Sequence, residues 1–494
     1  VRLSQLIEGI DIVERRNFRD VEVGGITSDS RSVKPGDCFV AVRGRAVDGH
    51  EFALRAVERG ASVLVVERPM ETSNPVLVVK DSSLAASLLA KRFFGDPAAR
   101  LVLAGITGTN GKTSSSFLLR SVFEASLGPA GIIGTVGYGS TAELAYAANT
   151  TPGAIDLYRI MADFEGRGCR AVVMEVSSHA AEQGRIAFLE FDVGVFTNAT
   201  RDHLDYHGTF ERYVEAKEIF VRSLVDPRRV KKPGTFVFNA DDPAVAAVAG
   251  RFGGRTLSFG RSAAAQVRAE RLEADLAGTR FDLAIGDARV PVALRLLGAF
   301  SAYNALAAAG AAHALGVGLE PIKEGLERVA VVPGRFQTVT AARAPVVVVD
   351  YAHTPDALEK LLAFCRELKP KRLVTVFGCG GDRDRGKRPM MGRIAAELSD
   401  MVIITDDNPR TEDPDRIVRE ILGGMISGAT PHRVIRDRRE AIREAVRGAA
   451  AGDLVVIAGK GHETEQIYGT TRHPFNDVKE AEKAVRDAEV QHQG

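Results

Sequence analysis

Leu101-Val102-Leu103-Ala104-Gly105-Ile106-Thr107-Gly108-Thr109-Asn110-Gly111-Lys112-Thr113 is the stretch that decides the fold. Leu101 to Ile106 reads as a buried strand, the glycines at 108 and 111 open a loop, and Lys112-Thr113 begins a helix. A strand, a Gly-rich loop and a helix N-terminus in this order form a phosphate cradle. The loop N–H groups close around phosphate oxygens and the helix dipole favours negative charge. Lys112 is placed to reach β- and γ-phosphates, and the Thr113 hydroxyl to hold Mg²⁺. The common Gly-x4-Gly-Lys-Thr spacing is not met. Its first position falls on Ile106, and Gly105 lies one residue too far. The plainer alternative is a Gly-rich turn that only caps a helix.

Outward from this loop, short apolar runs recur. Cys38–Val42, Val63–Val66 and Val76–Val79 precede it. Ala171–Val176 and Val193–Thr197 follow it, then Val346–Asp350, Leu373–Phe377, Met401–Thr405 and Leu454–Ala458. Helical patterns between them predict α/β architecture with parallel sheets covered on both faces. Ligands of such sheets lie at the carboxyl ends of the strands, so residues just after each strand matter most. At roughly 150 residues per domain, 494 residues suggest three domains. Phe94-Gly95-Asp96-Pro97 and Pro333-Gly334 punctuate the chain, which sets the expected domains at 1–98, 99–333 and 334–494.

With 65 Lys plus Arg against 64 Asp plus Glu, the net charge is +1. Nucleic-acid binding normally needs a basic excess, so it is not expected. Aromatic residues are 6% and Trp is absent, which leaves few stacking platforms. No apolar run approaches the ~18 residues of a membrane span, and the start of the chain lacks the apolar centre of a signal peptide. Cys38, Cys169, Cys365 and Cys379 form no CxxC pair, so reduced thiols and a cytoplasmic location are expected.

Further motifs stand in a distinctive order. They are Asn149-Thr150-Thr151-Pro152, Glu175-Val176-Ser177-Ser178-His179, Asp202-His203-Leu204-Asp205-Tyr206-His207-Gly208 and Glu215-Ala216-Lys217. Ser301-Ala302-Tyr303-Asn304, Pro333-Gly334-Arg335-Phe336-Gln337 and Asp350-Tyr351-Ala352-His353-Thr354-Pro355-Asp356 come next. Gly378-Cys379-Gly380-Gly381-Asp382-Arg383-Asp384, Asp407-Asn408-Pro409-Arg410 and Gly459-Lys460-Gly461-His462-Glu463 complete the set. Together with Thr107–Thr113, which has the variant spacing of that family, these motifs resemble the Mur ligases over nearly the whole chain. They are closest to the members that add meso-diaminopimelate.

The resemblance implies an N-terminal UDP-binding α/β domain, a central P-loop ATPase domain with a mostly parallel sheet, and a C-terminal Rossmann-like domain. It implies that a carboxylate attacks the γ-phosphate of ATP and that an amine displaces the resulting acyl phosphate. Anions must then be brought together, so cations should dominate the site. Gly108, Thr109, Asn110, Gly111, Lys112, Thr113 and Ser114 match the phosphate loop, and Asn304, Arg335, Asp350, Tyr351 and His353 the rest of the ATP site. Lys112, Glu175, His203 and Lys217 match the catalytic set. Thr113, Glu175, His203 and Lys217 match groups that hold two Mg²⁺ ions, with Lys217 as a CO₂-derived carbamate. By itself Lys217 reads as one more helical charge, outside the obvious apolar core. Ser28, Ser30, Arg45, Ala46 and Val47 match the UDP contacts. Asn149, Thr150, Thr151, Ser177, Gln183 and Arg185 match the muramoyl-dipeptide contacts. Arg383, Asp407, Asn408, Pro409, Arg410, Gly459 and Glu463 match the diaminopimelate contacts, with Arg410 on the far carboxylate and Glu463 on an ammonium.

The expected partners are therefore small molecules alone: ATP, the UDP-muramoyl dipeptide and diaminopimelate. The sequence does not reveal the oligomeric state, for which a monomer is the default. A lysine-adding relative, a folylpolyglutamate synthase-like ligase and an ATP-binding regulator without ligation remain as rival readings.

Overall fold

The computed structural model describes residues 1–44, 47–141, 143–147, 149–227, 232–342, 344–425 and 430–491, with residues 490 and 491 described by their backbone alone. Three large sheets organise it, each from one continuous block of sequence. The first runs in the order Ile12–Arg16, Val76–Val79, Val63–Val66, Asp37–Val40, Gly25–Thr27. Its pairs are parallel except for the edge strand Ile12–Arg16. The three middle strands are buried along their whole length, which is why they read as unbroken apolar runs.

The second sheet has ten strands. Thr256–Gly260, Thr235–Asn239, Val193–Phe196, Val102–Thr107, Ala171–Glu175 and Ala130–Gly134 run parallel through its middle. Helices Lys112–Ser126 and Ala299–Ala314 pack together on one face, where Leu118, Leu119, Val122 and Phe123 meet a wall of fully buried alanines from Ala302 to Ala312. One edge continues into an antiparallel unit, Val267–Asp275, Gly278–Ile285 and Ala288–Leu294. The reading for apolar runs does not find this unit. Burial alternates along its two outer strands, so charged residues such as Arg268, Glu270 and Arg289 interrupt the pattern. In Gly278–Ile285, Arg280 and Asp282 break the apolar run.

The third sheet is ordered Gln337–Val339, Val346–Asp350, Leu454–Ala458, Leu373–Phe377, Met401–Ile404, His432–Val434, parallel except at its first pair. A hairpin, Glu465–Tyr468 with Thr471–Pro474, stands beside it.

Separate sheets do not mean separate cores. Helix Ser82–Phe93 lays Ala85, Ala86, Leu89 and Ala90 into the same apolar cluster as Leu157, Tyr158 and Met161 of helix Ala154–Gly166. Fully burying a side chain such as Leu89 contributes ~1.5–3 kcal/mol, so this shared core fastens the first sheet to the second. The third is joined through the rings of Phe300, Phe336 and Phe364, whose centroids lie 5.3 to 6.0 Å apart. Among the described residues no helix is long and apolar enough to cross a membrane.

Candidate active site

The carboxyl ends of the central parallel strands open onto a cavity of about 660 Å³ that the third sheet closes from above. Its floor is the loop after Val102–Thr107. Gly108 adopts φ 142°, and a Cβ there would collide with Thr197 Oγ1. Gly111, at φ 85°, lies against Asn304 in the same way. Both positions need glycine, one for its conformation and its close neighbour, the other to let the Ala-rich helix approach. The loop is tied to the neighbouring strand end. Thr109 N donates to Asn198 O at 2.8 Å, Asn110 N to Asn198 Oδ1 at 2.9 Å, and Thr197 Oγ1 to Asn110 O at 2.6 Å. Asn239 Nδ2 in turn donates to Thr197 O at 2.8 Å. Sequence reading named none of Thr197, Asn198 and Asn239 as site residues, although each follows or ends a parallel strand.

Thr109, Asn110, Gly111, Lys112, Thr113, Ser114, Thr150, Glu175, Ser177, His203, Lys217, Asn304, Arg335, Asp350, Tyr351 and His353 all line the cavity. The Lys112 ammonium folds back onto the carbonyls of Gly108 and Thr109 at 2.8 and 2.9 Å. Burial lowers its pKa, against the attraction of Glu175 and Asp202. Glu175, 1% exposed, accepts from Thr135 through both N and Oγ1 at 2.9 Å. Asp202 is held down to about 2, because His203, His353, Lys387 and Lys112 outweigh the upward push of its own burial. Arg335 reaches from the third block, stacking 4.4 Å over Tyr351 and donating to Thr113 Oγ1 at 3.0 Å. Asn110 Nδ2 donates to Asp356 Oδ2 at 2.7 Å, a second tie between the same two blocks. The Asp350 carboxylate accepts from Phe336 N and Ala352 N at 2.7 Å, so in this conformation it shapes the linker. His353 is pushed down to about 4 by burial and by Lys387.

Lys217 departs from its sequence reading. It is not a solvated helical charge outside the core but is 2% exposed, one turn from Tyr213, whose ring its Nζ covers at 4.5 Å. Nζ donates to Gly108 O at 2.9 Å. Burial, then the charge of Lys112, drives its pKa well below the usual lysine value. It makes no salt bridge among the described residues.

Next to the cavity, Thr151, Ser177, Gln183 and Arg185 form one network. Thr151 Oγ1 donates to Glu175 O at 2.8 Å and accepts from Ser177 N at 3.0 Å. Arg185 donates to Thr151 O and to Gln183 Oε1. Thr151 is fully buried, so its side chain builds the site and its neighbours present it. Asn149 is exposed and is not among the residues lining the cavity. In the first block, Ser28 and Val47 are exposed and Ser30 is buried. Arg45 and Ala46 lie outside the described residues.

A second cluster sits at the carboxyl edge of the third sheet, outside the main cavity. Arg410 takes φ 53° and is pinned by Arg410 N to Ile467 O at 3.1 Å and Gly469 N to Arg410 O at 2.7 Å. Its Nη1 donates to Gly381 O at 2.7 Å. Burial, followed by the nearby charge of Arg383, lowers its pKa. Pro409 and Asn408 are buried, Arg383 is exposed, and Asn408 Nδ2 donates to Glu463 Oε2 at 2.9 Å. Gly459, at φ 118°, lets the strand end pass Asp407. The two clusters meet where the rings of Tyr351 and His462 pack at a tilt, 5.0 Å apart.

A phosphate loop closed over by a second α/β sheet defines a nucleotide-using enzyme with its site between domains. The comparisons narrow this. Residues 22–93 match the description Mur ligase family, catalytic domain, residues 106–312 the Mur ligase middle domain, and residues 334–461 the Mur ligase, glutamate ligase domain. A UDP-N-acetylmuramoyl-L-alanyl-D-glutamate--2,6-diaminopimelate ligase of Geobacter metallireducens is 42% identical over 100% of both chains. The ligase of the same name from Halalkalibacterium halodurans is 41% identical over 99% of each. A solved structure of a ligase of that name superposes with a TM-score of 0.68 at 33% identity, covering 100% of this chain and 99% of the other. The chain belongs to the Mur ligase family.

Proposed function

We propose that this chain joins meso-2,6-diaminopimelate to the D-glutamate of UDP-N-acetylmuramoyl-L-alanyl-D-glutamate with ATP, giving the UDP-muramoyl tripeptide, ADP and phosphate. It serves peptidoglycan precursor synthesis in the cytoplasm, as a monomer. The three sheets correspond to domains at 1–98, 99–333 and 334–494, taking the nucleotide sugar, ATP and the amino acid in turn.

The observation that carries this reading is the charge pattern of the third-sheet cluster. Arg410 and Arg383 offer two cations, and Asp407 and Glu463 two anions, at one sheet edge. A substrate with carboxylates and ammoniums at both ends meets that pattern, whereas lysine leaves one guanidinium unmatched. The similarity to diaminopimelate ligases over full length supports the same substrate.

The residues of the cavity suit the chemistry. Lys112, with the loop N–H groups, binds and neutralises the phosphates so that a carboxylate can approach the γ-phosphorus. Arg185 and the network around Thr151 and Ser177 orient the dipeptide carboxylate. The third domain brings Arg335 and the amine and excludes water from the acyl phosphate. The amine then adds to the acyl carbon, and phosphate leaves from the tetrahedral intermediate.

Among the described residues no three His, Cys, Asp or Glu side chains converge on a metal position. The donors available are the Thr113 hydroxyl, the buried Glu175 carboxylate, His203 and Lys217. A buried lysine with no salt bridge among the described residues suits conversion to a carbamate, whose oxygens would join Thr113, Glu175 and His203 in holding two Mg²⁺. When bound, Mg²⁺ would offset the phosphate charge.

The test is phosphate release with purified protein. It should require the UDP-muramoyl dipeptide and diaminopimelate together, and a mixture of equal diaminopimelate and lysine should give the mass of the diaminopimelate product. Release with either substrate alone, or equal incorporation of lysine, would overturn the assignment.

A further inference from the structure

Behind the third-sheet cluster lies a buried cation that the mechanism above does not use. The Lys460 side chain is 0% exposed, whereas that of Glu463, its partner, is 30% exposed. Lys460 Nζ donates to Glu463 Oε2 at 2.7 Å and to Asn408 Oδ1 at 3.0 Å. The carboxylate therefore faces the open side and the ammonium stands behind it. Asn408 Oδ1 also accepts from Ile467 N at 3.0 Å, and its Nδ2 donates to Glu463 Oε2.

These bonds fix a choice that an amide could otherwise make either way. An ammonium and a backbone N–H only donate, so both must face the amide oxygen. The Asn408 NH₂ is thereby turned onto Glu463. Inverting the amide would set NH₂ against Lys460 and leave Glu463 facing a carbonyl. Lys460 also supplies charge. Asp407 is kept ionised against its burial by Lys460 first, then by Arg438, Arg410 and Lys387. Arg438 is already committed to Asp477 at 2.7 Å, both fully buried.

We propose that Lys460 is a positioning residue for amino-acid selection, which orients Asn408 and Glu463 to receive the incoming ammonium without touching it. This rests on the reading of Asp407–Arg410 and Glu463 as the amino-acid site. Lysine is suited to the task because it is a donor only and compact enough to be enclosed. A buried ammonium persists only when paired, so its geometry and that of its two partners are set together.

The experiment compares wild type, Lys460→Met and Arg410→Ala in phosphate release, varying each substrate with the others saturating. Lys460→Met should raise the KM for diaminopimelate about tenfold or more. Its kcat should stay within about threefold of wild type, and its KM values for ATP and the UDP-dipeptide within about twofold. A merely structural lysine would lower the melting temperature and reduce kcat without moving that one KM, and this result overturns the proposal. If Lys460→Met does not fold, Lys460→Gln replaces it. Its amide can donate or accept and carries no charge, so it no longer fixes the Asn408 amide. The diaminopimelate KM should then rise about threefold or more, and an unchanged KM overturns the proposal. Arg410→Ala separates the two ideas. If it leaves the diaminopimelate KM unchanged, the site reading fails. If it raises that KM while Lys460→Met does not, only the role of Lys460 fails.

Discussion

The Gly108 carbonyl oxygen accepts both Lys112 Nζ at 2.8 Å and Lys217 Nζ at 2.9 Å. Two lysines from different helices thus converge on one atom of the phosphate loop, and burial, then the charge of Lys112, lowers the affinity of Lys217 for a proton. The Asp202 carboxylate acts against that lowering at both lysines, and bound phosphate would add to it.

Lys217 is therefore expected to be both catalytic and part of the packing. Lys217→Met, which keeps the buried volume, should fold and lose about 10²-fold or more in kcat. Lys217→Ala should also lower the melting temperature, and short carboxylic acids should restore part of its activity by filling the space. A carbamate carbon signal from ¹³C-bicarbonate should appear in wild type and vanish in Lys217→Met. Near-normal turnover of that variant in CO₂-depleted buffer would refute the role.

Gly108→Ala should cost nucleotide binding more than stability. The substitution forces a Cβ into a left-handed conformation and against Thr197 Oγ1, which itself holds Asn110 O. The loop must move by the width of a methyl group, and its N–H groups lose their aim at phosphate. ATP affinity by calorimetry should fall about tenfold or more, with a smaller loss of stability of ~1–2 kcal/mol. Wild-type affinity in this variant would mean that the loop does not grip phosphate.

Many of the parallel strands were legible because burial on both faces leaves continuous apolar runs, as in Val346–Asp350 and Leu454–Ala458. Ala130–Gly134 and Thr235–Asn239, also parallel, were not read, because Gly, Thr and Asn interrupt their apolar residues. Nor was the unit from Val267 to Leu294, since in its outer strands only alternate residues face inward and Arg280 and Asp282 break the middle one. The phosphate loop carried its chemistry in local spacing. Lys217 did not, because its burial depends on Gly108, 109 positions away, and on Tyr213 standing beneath it. Thr197 and Asn198 look like ordinary strand-end residues, and their role exists only where Val193–Phe196 pairs with Val102–Thr107. Lys460 was visible only as part of a motif, since nothing local shows that it faces inward.

Arg410→Ala tests substrate choice. The left-handed backbone at Arg410 is held by Ile467 and Gly469 of the adjoining hairpin segment, so the side chain is aimed before any substrate arrives. Removing the guanidinium leaves a carboxylate of diaminopimelate unpaired, at ~1–3 kcal/mol. The apparent KM for diaminopimelate should rise about tenfold or more while that for ATP changes little. The preference for diaminopimelate over lysine in a mixed reaction should shrink in parallel. An unchanged product ratio would remove Arg410 from the selectivity argument.

Acid sensitivity should trace in part to His462. Its Nδ1 is buried with no hydrogen-bond partner among the described residues, and burial together with Arg335 pushes the ring down to about 3. An unfolded histidine titrates near ~6.5. Between these values the unfolded chain binds a proton that the folded chain refuses, so stability rises with pH across the window and is lost as pH falls below ~6.5. His353, pushed down to about 4, adds in the same direction. Most carboxylates titrate lower, so melting temperatures measured from pH 7.5 down to 5 isolate the histidines. Wild type should lose more over that range than His462→Asn, whose amide carries no titrating charge at the contact with Tyr351. Equal slopes for the two proteins would show that His462 takes up its proton without disturbing the fold.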